Sequence, residues 1–321
     1  MSERIYDVVI AGGGPAGLAA ALTLGRGRKR VLLCDAGPPR NAAAVRVQNF
    51  VTRDGTPPSE FRRIAREQLA RYPNVEIADT DVERVDGARG AFDVRLAGDT
   101  VRARRLLLCT GMVDDLPQID GFRELWGRSI FACPYCHGWE IQDRRFACLA
   151  TTPDMLAFAI FLRGWTSDVV ALTHGVADID ASLLAQLTAA DVRVETRHIA
   201  RLVGNGEHLQ RVEFANGDSL ERDVLFAHPP QRQVDLVRGL GLALDDKGFV
   251  QVNDTRETSV PGVYAAGDLT SAAQSATLAA GAGMFAAAML NRALTVELVT
   301  TTNHTVETPP VRSTSSQERP S

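Results

Sequence analysis

The sequence predicts an α/β chain of two three-layer domains, each a parallel sheet with helices on both faces. Three observations carry that reading. Short apolar runs alternate with helical patterns in successive blocks, as βα units do. A glycine-rich turn, Gly12-Gly-Gly-Pro-Ala-Gly17, lies between the first apolar run and the first helical pattern. The 321 residues are too many for one small core and enough for two domains of ordinary size.

Residues 5–11 (IYDVVIA) form the short apolar run of a buried parallel strand. After the glycine turn an Ala/Leu-rich helix runs to about Leu24, and residues 30–35 make the next strand. Residues 59–72 place Phe61, Ile64, Ala65, Leu69 and Tyr72 on one helical face behind a Pro57-Pro58 start. The alternating stretch 75–104 predicts an antiparallel excursion, and 106–109 a further buried strand ending at Thr110-Gly111. A second block, from near 118, predicts a strand at 145–150, a helix at 154–163 and a strand at 168–173. Asn216-Gly217 between alternating runs predicts a hairpin over 209–226. A third block, from near 244, gives a strand over 260–268 and an Ala-rich helix over 273–294. Residues 299–321 are rich in Thr, Ser and Pro and read as a disordered polar tail.

With 35 basic against 39 acidic residues, net charge −4, there is no basic surplus to neutralise phosphates. Nucleic acid and anionic membrane are therefore not expected partners. No run approaches the roughly 20 apolar residues of a membrane span. The first residues lead straight into a strand with no apolar leader, so a cytoplasmic location is expected. Five cysteines in a chain of this length do not make a disulfide scaffold. Cys34, Cys109 and Cys148 lie inside strand-like apolar runs and read as small hydrophobes.

Gly12, Gly14 and Gly17 have the spacing of a dinucleotide site. The first permits a tight turn, the second lets backbone approach a pyrophosphate, and the third lets helix pack closely on strand. Pro15 and Ala16 open the helix, whose free N–H groups would face the phosphates. Asp35 ends the second strand 23 residues after Gly12, where an acid would bind a ribose 2′-hydroxyl. Ala266-Gly267-Asp268, followed by the segment from Gln274 to Gly281, resembles the C-terminal FAD motif of the pyridine-nucleotide–disulfide oxidoreductases. Thr110-Gly111 is similar to the second signature of that FAD domain. More narrowly, residues 5–295 resemble the low-molecular-weight thioredoxin reductases. The resemblance implies two Rossmann-like domains: a split FAD domain, 1–116 and 244–298, and an insert, 117–243, derived from an NADPH domain. It implies FAD as cofactor and a homodimer. It also implies that Asp268 bonds the ribityl or pyrophosphate region, that Gln274, Ser275 and Ala276 face the isoalloxazine, and that Asn49 joins the cofactor site.

Cys133-Pro-Tyr-Cys136-His137-Gly138 matches three chemistries. Haem attachment would need export and a haem pocket, and structural zinc would need a second ligand pair that the sequence lacks. A redox disulfide at a helix start needs neither, and a helix dipole there would lower the first thiol's pKa. The resemblance implies that Cys136 exchanges electrons with the flavin and Cys133 meets the substrate. Where thioredoxin reductases carry an acid after the second cysteine, this chain has His137, a candidate base near neutral pH. The alternative for His137 is a structural histidine bonding backbone. His228, before Pro229-Pro230, is a weaker candidate to approach the flavin edge.

The insert departs from the family where NADPH should bind. The turn after its first strand is Ala150-Thr-Thr-Pro-Asp-Met155, without glycine, and the next strand is followed by Thr173-His174-Gly175-Val176 instead of paired arginines. The flavin-dependent dithiol oxidases that close disulfides in products such as gliotoxin and holomycin share this pattern of a Cys-x-x-Cys motif and no working NADPH site. That resemblance implies a small dithiol as substrate and oxygen as acceptor. Two enzyme readings keep the same motifs: a disulfide reductase fed by a donor such as ferredoxin, or NADPH reduction through a degraded site. A flavin-binding protein that holds a dithiol without turnover is the non-enzyme reading.

Overall fold

A computed structural model describes residues 5–37 and 39–304, the last four by backbone alone. The first part of the chain supplies β1 (Ile5–Ala11), α1 (Pro15–Arg26), β2 (Val31–Cys34), α2 (Pro58–Leu69), β3 (Val75–Ala78), β4 (Val82–Ala88), β5 (Ala91–Leu96) and β6 (Asp99–Leu108). They form a sheet in the order β3-β2-β1-β6-β5-β4, parallel from β3 to β6 and antiparallel over the excursion. The register sets Val8 against Val31 and Ile10 against Leu33. Val8 and Ile10 point into one apolar layer and Val9 and Ala11 into the other, so β1 is buried on both faces.

After β7 (Val113–Asp114), α3 (Phe122–Leu125), β8 (Ile130–Phe131) and α4 (Pro134–His137), a second sheet is built. It uses β9 (Phe146–Leu149), α5 (Pro153–Phe161), β10 (Val169–Leu172), α6 (Ala181–Ala189) and β11 (Val192–Glu195). A three-stranded antiparallel layer follows: β12 (Ile199–Asn205), β13 (His208–Phe214) and β14 (Ser219–Glu221). With β15 (Val224–Phe226) the second sheet is all parallel in the order β11-β10-β9-β15-β8. Phe146 and Cys148 face α5 and α6, and Ala147 faces the antiparallel layer.

The chain returns through β16 (Gln231–Arg232), paired antiparallel with β7, and α7 (Asp235–Gly239). β17 (Val263–Ala265) then joins the first sheet parallel to β6, and α8 (Ala276–His304) packs on α1. A Cβ at Gly283 would strike the Ala16 carbonyl, so glycine lets α8 cross α1 at backbone contact.

The antiparallel excursion expected over 75–104 starts only at β4, because β3 pairs parallel with β2, and three other expectations need correction. The hairpin at Asn216-Gly217 forms, with Gly217 at φ +90°, but it joins β13 to β14, and Val224–Phe226 belongs to the parallel sheet. β12, on the other side of β13, was not anticipated. The last helix runs past 294 to His304, so it enters the stretch read as a tail; residues 305–321 lie outside the described residues. By length and composition Ala276–Thr300 is long and apolar enough to cross a bilayer, contrary to the reading of the sequence. Alanines account for this: Ala286, Ala287, Leu290 and Leu294 are buried in the core shared with α1, while Leu278, Met284 and Phe285 stay exposed.

Candidate active site

The cofactor motifs converge at the carboxyl ends of β1, β6 and β17. Gly12 has φ +111°, and a Cβ there would strike the Cys109 carbonyl. A Cβ on Gly17 would strike the Gly12 carbonyl, so both are steric requirements of the turn. A Cβ at Gly14 would meet nothing within 4 Å. The turn is therefore open on the side a pyrophosphate would approach. Gly14 is also the N-cap of α1 and provides no side-chain cap; Pro15 follows, and no acid sits in the first turn. The positive end of a 12-residue helix is left for an anion.

Gly267, at φ +96°, brings the Gly-Asp motif against this turn, its notional Cβ 3.0 Å from the Ala16 Cβ. Thr110 Oγ1 is buried without a partner, which in a closed core would cost about 1–3 kcal/mol. Gly111 beside it is at φ +67°. A bound dinucleotide offers an unpaired hydroxyl the partner that this fold withholds. The open glycine turn, the uncapped helix and the orphaned hydroxyl fit such a group.

Asp35 is 6% exposed and ion-paired with Arg62 of α2, with Arg66 at 3.5 Å. Gly13, which the sequence reading passed over, is required there because a Cβ would collide with the Asp35 carboxylate. Arg40 was also missed. Its guanidinium donates to Asp114 (2.7 and 2.8 Å), to Gln274 Oε1 (2.5 Å) and, at 3.4 Å, to Asp268. Burial pushes the Asp268 pKa up, and Arg40 pulls against it. Gln231 completes the group by exchanging hydrogen bonds with Gln274 and donating to Asp114. Thus Asp268 and Gln274 do meet, directly where Gln274 Nε2 donates to the Asp268 carbonyl at 3.4 Å, and through residues of the β7–β16 ribbon and Arg40, at the start of a short 3-10 turn, that carry no local motif. Ser275 Oγ accepts from the Leu278 N–H at the start of α8, beside Ala276, and Thr277 donates to the Asn49 carbonyl.

Cys133 and Cys136 are joined by a disulfide, Cα–Cα 5.3 Å. α4 is a single turn, so the dipole expected to lower the first thiol's pKa is weak. The other three cysteines are buried and free; burial pushes Cys34 up to about 12 and raises Cys109 and Cys148 further still, so none serves as a thiolate at neutral pH. His137 stacks on Phe131, centroids 4.1 Å apart at 15°, and both ring nitrogens are buried without a hydrogen-bond partner. Burial lowers its pKa, with the Cys133 carbonyl acting in the opposite sense. His228 bonds the Ala132 carbonyl through Nε2 at 2.7 Å, which places its ring beside the redox turn.

A lowered histidine pKa has a sign. The unfolded chain takes up this proton near 6.5, the folded chain only below it, so stability is full above 6.5 and declines as pH falls toward the lowered value. Thermal melts between pH 7.5 and 5.5 should show a steeper acid-side loss for wild type than for His137→Phe, which keeps the stack on Phe131. Parallel profiles would refute the assignment.

The insert repeats the layout of the first sheet without its cradle. β9 corresponds to β1 as the strand that leads into the first helix of its sheet. Here Thr152 caps α5, its side chain accepting from the Met155 N–H at 3.4 Å, and behind Pro153, which matches Pro15 of α1, the exposed Asp154 puts a negative charge on the first turn. At the end of β10, Thr173 is buried and donates to the Val176 carbonyl. The nearby Arg197 is engaged by Glu195 and Asp218.

The model of one family, pyridine nucleotide-disulphide oxidoreductase, matches residues 6–283. The chain belongs to that family. It is a flavoprotein thiol/disulfide oxidoreductase similar to the thioredoxin reductases. Thioredoxin reductase tcpT of Claviceps purpurea is 32% identical over 283 residues, 83% of this chain and 87% of that one. An oxidoreductase from Agrobacterium tumefaciens is 37% identical with a TM-score of 0.86, covering 91% of this chain and 99% of its own. HlmI is 36% identical with a TM-score of 0.88, covering 93% and 95%.

Proposed function

We propose that the protein is an FAD-dependent dithiol oxidase that closes a disulfide in a small-molecule dithiol, with oxygen as acceptor. The observation that carries this reading is the contrast between the two helix starts. Both helices begin with a proline, but α1 presents uncapped N–H groups behind an open glycine, whereas α5 is capped by Thr152 and made acidic by Asp154. A pyrophosphate is favoured at the first and repelled at the second. Electrons then have the Cys133–Cys136 pair, not a nicotinamide, as their route to the flavin.

Gly12, Gly14, Gly17, Asp35, Thr110, Asp268 and Gln274 would hold the FAD. In the proposed reaction a substrate thiolate attacks Cys133 Sγ, the Cys133–Cys136 bond breaks, and Cys136 leaves as a thiolate. His137 takes the proton of the second substrate thiol, whose sulfur attacks the substrate sulfur of the mixed disulfide and releases Cys133. The substrate loses two electrons and two protons, and the cysteine pair gains the two electrons. FAD held by these residues would supply the two-electron acceptor that returns the Cys133–Cys136 dithiol to its disulfide, with dioxygen as final acceptor and hydrogen peroxide, after uptake of two protons, as its product. The place of His137, directly after Cys136 in the redox turn and with no side-chain hydrogen-bond partner, supports its role.

The domain bounds 1–116, 117–243 and 244–298 are part of the proposal, as is a homodimer, which the exposed Leu278, Met284 and Phe285 of α8 favour. An oxygen electrode tests the activity: purified protein with dithiothreitol and no NADPH should consume oxygen and release peroxide in equal amounts. No oxygen uptake above the dithiol blank would overturn it.

A further inference from the structure

Beside the redox turn, the loop 48–54 and the segment 135–140 enclose a cleft of about 240 Å³ lined by Gln48, Asn49, Asp54, Tyr135, Trp139 and Glu140. Its walls are fixed. The loop is closed by backbone pairing of Val47 with Thr56, turns through Asn49 and Thr52 at φ +58° and +74°, and is anchored by an edge contact of Phe50 with Phe61. Tyr135, from within the Cys-x-x-Cys turn, is braced edge-on by Trp165 with centroids 5.5 Å apart. Yet Tyr135 is 64% and Trp139 75% exposed, an unusual state for two aromatics next to a reactive disulfide.

The cleft is also acidic. Asp54 accepts from the Asn49 N–H and Glu140 from Gln48 Nε2, each at 2.7 Å, and among the described residues neither carboxylate is paired with a cation. Arg46, just before the loop, donates to the Gly55 carbonyl and Arg53 to the Thr52 carbonyl, so neither pairs with these carboxylates. Two fixed negative charges therefore act on whatever enters. They oppose a substrate carboxylate most strongly, because the attacking sulfur must itself be a thiolate.

We propose that this cleft holds the body of the dithiol and selects by charge: it takes a small neutral or cationic dithiol, contacted by Tyr135 and Trp139, and turns away carboxylate-bearing ones. This inference rests on the dithiol-oxidase reading above. Asp54 and Glu140 set specificity and take no part in the electron transfer.

Dihydrolipoamide and dihydrolipoate are suitable probes, since they share one dithiol and differ by an amide against a carboxylate. With the flavin-loaded enzyme at low salt, kcat/KM should favour the amide by about tenfold or more, and added salt should shrink the ratio. Asp54→Asn with Glu140→Gln should bring the ratio toward one, mainly through gain with dihydrolipoate. Trp139→Ala should raise KM for dihydrolipoamide more than it lowers kcat. Should the double variant lose its flavin spectrum, the two single variants read the same ratio. A wild-type ratio near one, or a ratio that the carboxylate variants leave unmoved, overturns the inference while the oxidase reading stands. If neither probe supports oxygen uptake, the oxidase reading falls and this one with it.

Discussion

Serine at either Cys133 or Cys136 is expected to abolish dithiol oxidation, by about 10³-fold or more in kcat, and to leave the protein yellow. The size of the effect follows from the chemistry. The pair is the only disulfide among the described residues, and the other three cysteines are buried with raised pKa values, so no second thiol can replace a lost one. The retained colour follows from position: neither cysteine belongs to the glycine turn, the Thr110 site or the Arg40–Asp268 group that would hold the cofactor. Rapid mixing with dithiothreitol separates the cases. Wild-type flavin should bleach, and both variants should stay oxidised. A variant that still turned over would show that substrate thiols reach the flavin directly.

Gly14→Asp is expected to remove the cofactor without unfolding the chain. A Cβ at Gly14 meets nothing within 4 Å, and the residue is extended, with φ −76° and ψ −176°, as an aspartate N-cap prefers. The new carboxylate should cap α1 and hold or raise its stability by roughly a few tenths of a kcal/mol. It would also place a negative charge where the pyrophosphate belongs, as Asp154 does in the first turn of α5 while Thr152 caps that helix. Flavin content after purification should fall by about tenfold or more, with an unchanged far-ultraviolet spectrum. Normal flavin content in this variant would move the phosphates away from α1.

The parts of the site that were legible in the sequence are those whose requirements are local. Gly17 is fixed by the Gly12 carbonyl in the same βα turn, and the glycine spacing announces that turn, although the carbonyl that fixes Gly12 comes from Cys109 at the end of β6. The Cys133–Cys136 disulfide needs only a four-residue reach, and Asn216-Gly217 a two-residue turn. Arg40, Gln231 and Arg62 were not legible, because each acquires its role from a partner far along the chain: Asp268, Gln274 and Asp35. The acidic cleft was hidden for the same reason, since Asp54 and Glu140 belong to different segments that only the fold brings together. The strand Val224–Phe226 was misplaced because a short apolar run has no periodicity to separate a hairpin arm from a buried parallel strand. The length of α8 was underread because alanine gives no amphipathic contrast at its end.

The most direct test is anaerobic mixing of the flavin-loaded protein with dithiothreitol in one syringe drive and NADPH in another, following flavin absorbance. Bleaching by the dithiol on the timescale of turnover, with no change from NADPH, is the predicted result. Bleaching by NADPH at that rate, or a flavin that the dithiol leaves oxidised, would contradict it.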